Sequence, residues 1–555
     1  MRSPAPRALL ATASLAVALA AADTYVVVLA LTDMMEGVGL GIDSLQRATP
    51  IISGFLLGYV AVLPLIGRLA DLVDRQKVLL TCLGIFVAGS AVTALAVEPG
   101  VLIAGRVIQG VGGGGLVPAT LAIVASLWAP DRRGLPLGVV GAVQELGSVL
   151  GPVLGALVLA VADWRMIFWL NAALGLLLAA AVVVTGGGPS TRPPVGRGLL
   201  ALTAAMLLGL ALAAPPALTR DITLGIPFIP FGDSTSRLAT PIGAAGLAVT
   251  ALAVGLGLRG LAPVLRRADL PGALLLGGVL GTIVLTFAAA DPAKEVVGPL
   301  GYALLPLGAV LALLYAVRHR RAATPLVPRG LVRGQAFWSL VVSLLVGVAL
   351  VAIIVNVPLM ARLVQGADET AAALVLVRFL VAVPVGALGG GWLLRHLGDG
   401  LVAGVGLLLT AGALVSMATW GRGSLDQPAA TIALIVAGLG VGLALAPVNN
   451  AALAGSSEDA HGTISALVVV ARMVGMVVGI ALLTAIGLHA YYEAVALLPD
   501  RTDRTALVDA AILQVHWIFR GAAVAAALGA VAAIGLGLGR RATEVGDRHT
   551  PTFGL

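Results

Sequence analysis

Gly67-Arg68-Leu69-Ala70-Asp71-Leu72-Val73-Asp74-Arg75-Gln76-Lys77 sets five charged side chains between two apolar stretches, 48–67 and 78–97. Each flank holds about 20 residues, which is what a helix rising 1.5 Å per residue needs to cross ~30 Å of hydrocarbon. A short polar loop between two such helices is the repeating unit of a polytopic membrane protein, where each helix satisfies its own backbone. The leading Gly lets helices approach closely. The Asp can meet a neighbouring helix N-terminus or an Arg.

Working outward, the rest of the chain repeats this unit. Of 555 residues, 59% are hydrophobic and 11% charged, against about a quarter charged in a soluble domain. A chain this apolar cannot cover itself with polar groups, so lipid is its solvent. The net charge of +7 invites a nucleic-acid reading, but no basic run is interleaved with aromatics; the excess reads as positive-inside topology. Cys82, the single cysteine, lies in an apolar span and signals neither a disulfide nor thiol chemistry. The six histidines are scattered, and no His-x-x-x-His, Cys-x-x-Cys or Gly-Lys-Ser/Thr loop occurs. No catalytic residue, metal site or ATP-driven pump is therefore expected.

Apolar windows place six spans near 8–32, 48–67, 78–97, 101–128, 136–162 and 166–185. Four follow near 198–214, 242–258, 271–290 and 298–317, then six near 336–362, 371–393, 401–420, 429–454, 463–492 and 508–539. The N-terminal run could pass for a signal peptide ending at Ala20-Ala21-Ala22. Apolar character resumes after Asp23, however, and Leu9–Leu31 reads as an uncleaved first helix. Alternate loops and both tails then carry 21 basic residues, against nine on the other side. Both termini are therefore expected in the cytoplasm. The outside loop 215–241, with Ile-Pro-Phe-Ile-Pro-Phe-Gly, reads as an ordered hairpin or interfacial loop, and the last two helices as extending beyond the membrane on the outside.

The Gly67–Lys77 loop resembles the signature loop of the major facilitator superfamily, with Leu72 and Asp74 where that pattern has Arg and Gly. Gly67, Asp71 and Arg75 keep their places, and the resemblance implies a latch that closes one side during alternating access. The two departures imply a weaker or differently paired latch. Arg106-Val-Ile-Gln109-Gly110 resembles the family's Arg-x-x-Gln-Gly element. Gly147-Ser-Val-Leu-Gly151-Pro152-Val-Leu-Gly155 resembles its antiporter motif, in which spaced glycines and a proline give a bendable, closely packed helix. An echo of the loop, Gly391 to Asp399 with Arg395, implies two related halves.

The resemblance implies an all-α major facilitator fold of two six-helix bundles with linker helices: fourteen spans plus an inserted hairpin, in the drug:proton antiporter branch. Within it, Ala22-Asp23-Thr24-Tyr25, Gly389–Gly391, Val468–Met476 and the long final pair are similar to mycobacterial triacylglycerol-exporting pumps that work with a periplasmic lipoprotein. Residues 1–187 form the first bundle, 188–268 an insertion, 269–334 two linker helices and a loop, 335–541 the second bundle and 542–555 a tail.

A charge at mid-bilayer costs about 2.5–3.5 kcal/mol on insertion scales, so each needs a partner or a wet cavity. Within spans lie Asp23, Arg106, Glu145, Arg378, Arg472 and Arg520. Asp23 and Glu145 are the expected proton-coupling groups about a shared inner chamber. Arg378, Arg472 and Arg106 are the expected cavity ion-pair partners, with Glu145 joining Arg378 or Arg472 as a lock between the halves, while Arg520 snorkels. The alternative throughout is static pairing that fixes helix register. The expected activity is proton-driven export of a hydrophobic or amphipathic substrate, a lipid such as triacylglycerol, by a monomer in the bacterial inner membrane. It uses no cofactor beyond the proton gradient. Multidrug efflux is the alternative, and a polytopic membrane enzyme a remote one.

Overall fold

A computed structural model of the chain describes residues 6–40, 45–186, 195–221, 223–232, 234–288, 301–365, 369–500 and 503–539. The tail 542–555 and the loop or terminal residues Arg2, Arg192, Arg540, Arg541 and Arg548 lie outside them. The first six helices are α1 (Pro6–Gly37), α2 (Leu45–Leu72), α3 (Arg75–Ala94), α4 (Pro99–Leu127), α5 (Gly134–Leu159) and α6 (Arg165–Thr185). A middle group follows: α7 (Val195–Ala213), the single turn α8 (Pro216–Thr219), α9 (Pro241–Arg267), α10 (Leu270–Ala288) and α11 (Gly301–Arg321). The last six are α12 (Gly334–Gln365), α13 (Glu369–Leu393), α14 (Asp399–Met417), α15 (Pro428–Ala454), α16 (His461–Ala496) and α17 (Arg504–Ala532). Apart from α8, each lies on an apolar stretch read from the sequence. Fifteen are long and apolar enough to cross a membrane, and α7 adds the shorter apolar stretch Gly198–Ala213. The described residues contain no strand.

The two six-helix groups are built alike. In the first, α4 packs on α2 and α3, α1 on α5 and α6, and α3 on α6; in the second, α15 packs on α13 and α14, α12 on α16 and α17, and α14 on α17. Glycines make these contacts backbone-close. Gly110 and Gly114 of α4 face the backbone of α2 at Phe55 and Tyr59, while Gly112 faces α3 at Phe86. Gly147 and Gly151, four residues apart and so on one face of α5, lie against the α1 backbone at Ala18 and Ala22; Gly155 continues the row onto Val26. Gly347 and Gly475 join α12 to α16 in the matching way. Without a hydrophobic force between helices in lipid, such close backbone packing supplies the association energy.

The halves meet through α2 with α16 and α13 with α5. These contacts gather at the face where the α2–α3, α4–α5, α13–α14 and α15–α16 loops lie, called here the terminal face. One core cluster runs through both halves, whereas the first half's core toward the opposite face (Val26, Met34, Ile51, Leu102, Trp164, Phe168) forms its own cluster.

Of the middle helices, α10 lies against α2 and α16 and pairs with α11; α7 and α9 pair with each other. Asp269, buried at the start of α10, accepts from Arg318 (2.8 Å) and from Leu326 N (3.2 Å), clasping α10 to the end of α11. The described residues of the loop 215–241 include short helical turns, and Phe231 N donates to Ala239 O at 2.8 Å. It is pinned to the first bundle where Arg237 N donates to Glu98 (2.7 Å). At 36 residues, α16 is roughly 54 Å long, well beyond the ~30 Å that a span requires.

Candidate functional site

Three groups of polar side chains interrupt the apolar interior. The first is sealed inside the first bundle. Asp23 of α1 accepts from Arg106 Nη1 (2.5 Å), Gln109 Nε2 (2.9 Å) and Asn171 Nδ2 (2.6 Å). Gln109 also donates to Ser90 Oγ (2.9 Å), and Arg106 lies 4.6 Å from the Phe55 ring centroid and 5.6 Å from that of Phe168. Both members of the pair are 1% exposed. A buried charge pair is tolerable only when its remaining hydrogen-bonding capacity is satisfied, and α4 and α6 supply the donors to Asp23. Asp23 and Arg106 therefore pair with each other within one half, not across a chamber shared with Glu145. The expectation of a common site for the two carboxylates is corrected: the close fit of α1, α4 and α6 closes over Asp23.

The second group lies between the halves. Glu145 Oε1 of α5 is 4.0 Å from Arg472 Nη1 of α16, each side chain 11% exposed. Arg472 also lines a cavity bounded by Val117, Leu121, Val140 and Gln144 from the first half and by Ser343, Val346, Leu445, Asn449 and Val469 from the second. Tyr59 of α2 is buried within electrostatic range of both charges. Arg378 is elsewhere: it sits exposed on α13 and donates to Thr431 Oγ1 at 2.8 Å. Of the two arginines expected to meet Glu145, the geometry selects Arg472. Arg520 is stacked near Trp517, 5.0 Å from its ring centroid.

The third group ties the terminal face. Asp71, at the end of α2, accepts from Gly462 N (2.6 Å), Thr463 N (2.9 Å) and Thr463 Oγ1 (2.6 Å). A carboxylate from one half thus caps the positive N-terminus of α16 in the other. Gly67 lies in direct contact with Gly462 and Ala466, and Arg75 donates to Glu458 O (3.4 Å). Asp74, one of the two departures from the signature pattern, caps α3 through Gln76 N (2.9 Å) and Lys77 N (3.2 Å). At the related seam, Gly391 of α13 meets Gly134 of α5, and Gly138 meets Ala387. Arg395 stands four residues after Gly391 as Asp71 does after Gly67. Asp399 turns away into its own half, accepting from Asn450 (2.7 Å).

Uncharged partners escaped the sequence reading. Asn171 and Gln144 are isolated amides in apolar helices, and the Asn449-Asn450 pair interrupts α15; polarity inside a span was their available signal. Arg133, in the loop between α4 and α5, is buried and donates to Ala125 O (2.6 Å) and Trp128 O (2.8 Å), closing the end of α4.

The Major Facilitator Superfamily signature matches residues 13–480. The chain belongs to that superfamily. It is 36% identical over 547 residues to the triacylglyceride transporter of Mycolicibacterium hassiacum, with 93% of this chain and 89% of that protein covered. With the triacylglyceride transporter of Mycobacterium tuberculosis it shares 35% identity over 506 residues, covering 88% and 84%. The human organic anion transporter TETRAN has the same fold, with a TM-score of 0.57 at 16% identity over 96% of this chain and 100% of that one. The major facilitator chain is thus a multi-pass membrane transporter and not an enzyme, and its paired six-helix groups are that superfamily's two halves.

Proposed function

We propose that this transporter exports a lipid of the triacylglycerol kind from the inner membrane, by alternating access coupled to proton influx, with both termini and the terminal face cytoplasmic. The observation that carries the reading is the Glu145–Arg472 pair, which joins the halves beside a cavity lined mostly by aliphatic side chains. At 4.0 Å the pair makes no hydrogen bond, so its attraction is purely that of opposite charges. A proton on Glu145 removes that attraction and frees α5 from α16. The halves then rock, making and breaking the terminal-face latch, and the charge state of one side chain selects the open side. The cavity is only about 30 Å³ with the halves in this position; once they part, its aliphatic lining suits acyl chains, and the relatives' names support that cargo. Asp23 acts through Arg106 by holding the first half rigid. A periplasmic lipoprotein that receives the cargo completes the scheme.

The test uses proteoliposomes with an imposed inward proton gradient, followed by labelled triacylglycerol and, separately, ethidium. Gradient-driven triacylglycerol movement that is abolished by an uncoupler and by Glu145→Gln supports the proposal. Ethidium movement alone would make the chain a drug:proton antiporter, and triacylglycerol movement indifferent to the gradient would remove proton coupling.

A further inference from the structure

The two seams at the terminal face are related by the same internal repeat, but their charges differ. At the α2–α16 seam the Asp71 carboxylate sits on the N-terminus of α16. At the α13–α5 seam the corresponding position is Arg395, and α5 starts with no acidic residue in its first turn and no side-chain cap. A cleft of roughly 670 Å³ opens beside that uncapped start. Its walls carry Arg7 from α1, Arg132 from the turn before α5 and Arg395 from the other half, against one carboxylate, Asp131, which lies 3.6 Å from Arg132. Trp128 and Leu394 line the same cleft and give it an apolar side.

We propose that this cleft holds the headgroup of an anionic phospholipid, whose phosphate takes the place at the α13–α5 seam that Asp71 fills at the other. Three arginines against one aspartate leave two positive charges for it, and the positive end of α5 adds to them. The apolar wall and the indole suit the start of an acyl chain, the level at which aromatic side chains favour the membrane interface. Basic pockets between helix ends on the cytoplasmic side attract anionic headgroups at about 1 kcal/mol per arginine, or about fivefold in affinity each. Because Arg7 and Arg132 belong to one half and Arg395 to the other, a bound headgroup also bridges the halves at a seam built on Gly134, Gly138 and Gly391. The site stands whether or not the transported cargo is a lipid.

The purified full chain in neutral detergent is titrated with phosphatidylglycerol, phosphatidylcholine or soluble glycerol 3-phosphate, reading lipid retention by native mass spectrometry and the thermal midpoint. Phosphatidylglycerol is expected to be retained and to raise the midpoint, while the other two leave both unchanged. Arg132→Gln with Arg395→Gln should weaken phosphatidylglycerol retention about 25-fold, two arginines at about fivefold each, with little change in midpoint without lipid. If that variant does not fold, Arg7→Gln alone should weaken retention about fivefold. Equal retention of phosphatidylcholine would overturn the proposal, as would unchanged phosphatidylglycerol retention in the variants. An equal response to glycerol 3-phosphate would assign the cleft to a free phosphate and not to a lipid.

Discussion

Replacing Asp71 by Asn should unlatch the terminal face. The carboxylate accepts three hydrogen bonds at 2.6, 2.9 and 2.6 Å from the first residues of α16. Hydrogen bonds to a charged group contribute about 1.5–3 kcal/mol each, and an anion at a helix N-terminus about 0.3–1 kcal/mol more. These do not add in full, because in the opened state water replaces much of what is lost. About 2–3 kcal/mol of net preference for the latched state is therefore lost, since asparagine keeps the shape but loses the charge and turns an N–H₂ group toward N–H donors. That changes the ratio of latched to unlatched molecules about 30- to 160-fold. Cys82 is the only cysteine and is buried, so replacing it gives a clean background for spin labels. Labels at Thr81→Cys in the first half and Asp459→Cys in the second, both exposed, report the separation of the halves by pulsed electron resonance. The variant should show a new, longer distance at pH 7. An unchanged distance distribution, with the protein folded, would show that the glycine contacts hold this face unaided.

Other substitutions test the remaining groups. Asp23→Asn leaves Arg106 buried without its counter-ion and should cost about 3–5 kcal/mol, read as a lower thermal midpoint; Arg106→Gln added to it should recover part of the loss, and an unchanged midpoint in the single variant would refute a structural pair. Gly151→Leu places a side chain against the α1 backbone at Ala22 and should destabilise the first bundle by about 1–3 kcal/mol or more, whereas the same change at Gly412, which faces open space, should be nearly silent. In the 215–241 loop, the Leu224 and Thr223 N–H groups and the Thr223 hydroxyl hold the Asp221 carboxyl below its usual range. The ionised form is thus the one the turn favours. Hydrogen-exchange protection of the Thr223 and Leu224 amides, corrected for intrinsic rate, should be full above about pH 4, the ordinary aspartate range, and fall as pH drops through the lowered value. Protection that rises on acidification would contradict this.

Helix positions were legible because their cause is local: about 20 apolar residues must follow one another wherever the chain crosses a bilayer. The contact of Asp71 with a helix start was legible for a similar reason. Gly67 and Asp71 lie four residues apart at a helix end, which sets a close contact and a carboxylate on the same face. Partner choice was not legible. Whether Glu145 meets Arg472 or Arg378 depends on the rotation of α13 and α16 about their axes. Gly347 and Gly475 set it for α16, and Gly386 and Gly442 for α13, through contacts between residues far apart in sequence. The placement of Asp23 failed for another reason. Weighing only ionisable residues left Asn171 and Ser90 out of account, and these, with Gln109, let a buried charge be satisfied inside one bundle without a cavity.

That division between the two carboxylates bears on which of them can drive movement. A group can shift a conformational equilibrium only by interacting differently with the two states. Asp23 and all its partners lie on helices of one half, so a rigid rotation of that half leaves every one of those distances intact. Whatever its charge, the pair then contributes alike to both states. Glu145 and Arg472 lie on opposite halves at 4.0 Å, so any rocking changes their separation and hence their energy. The attraction also rises as the surroundings dry, because Coulomb energy scales inversely with the local dielectric, and the cavity beside the pair is mostly aliphatic. In the proposed mechanism a proton on Glu145 therefore acts at a contact whose energy the motion changes, whereas one on Asp23 acts inside a single half.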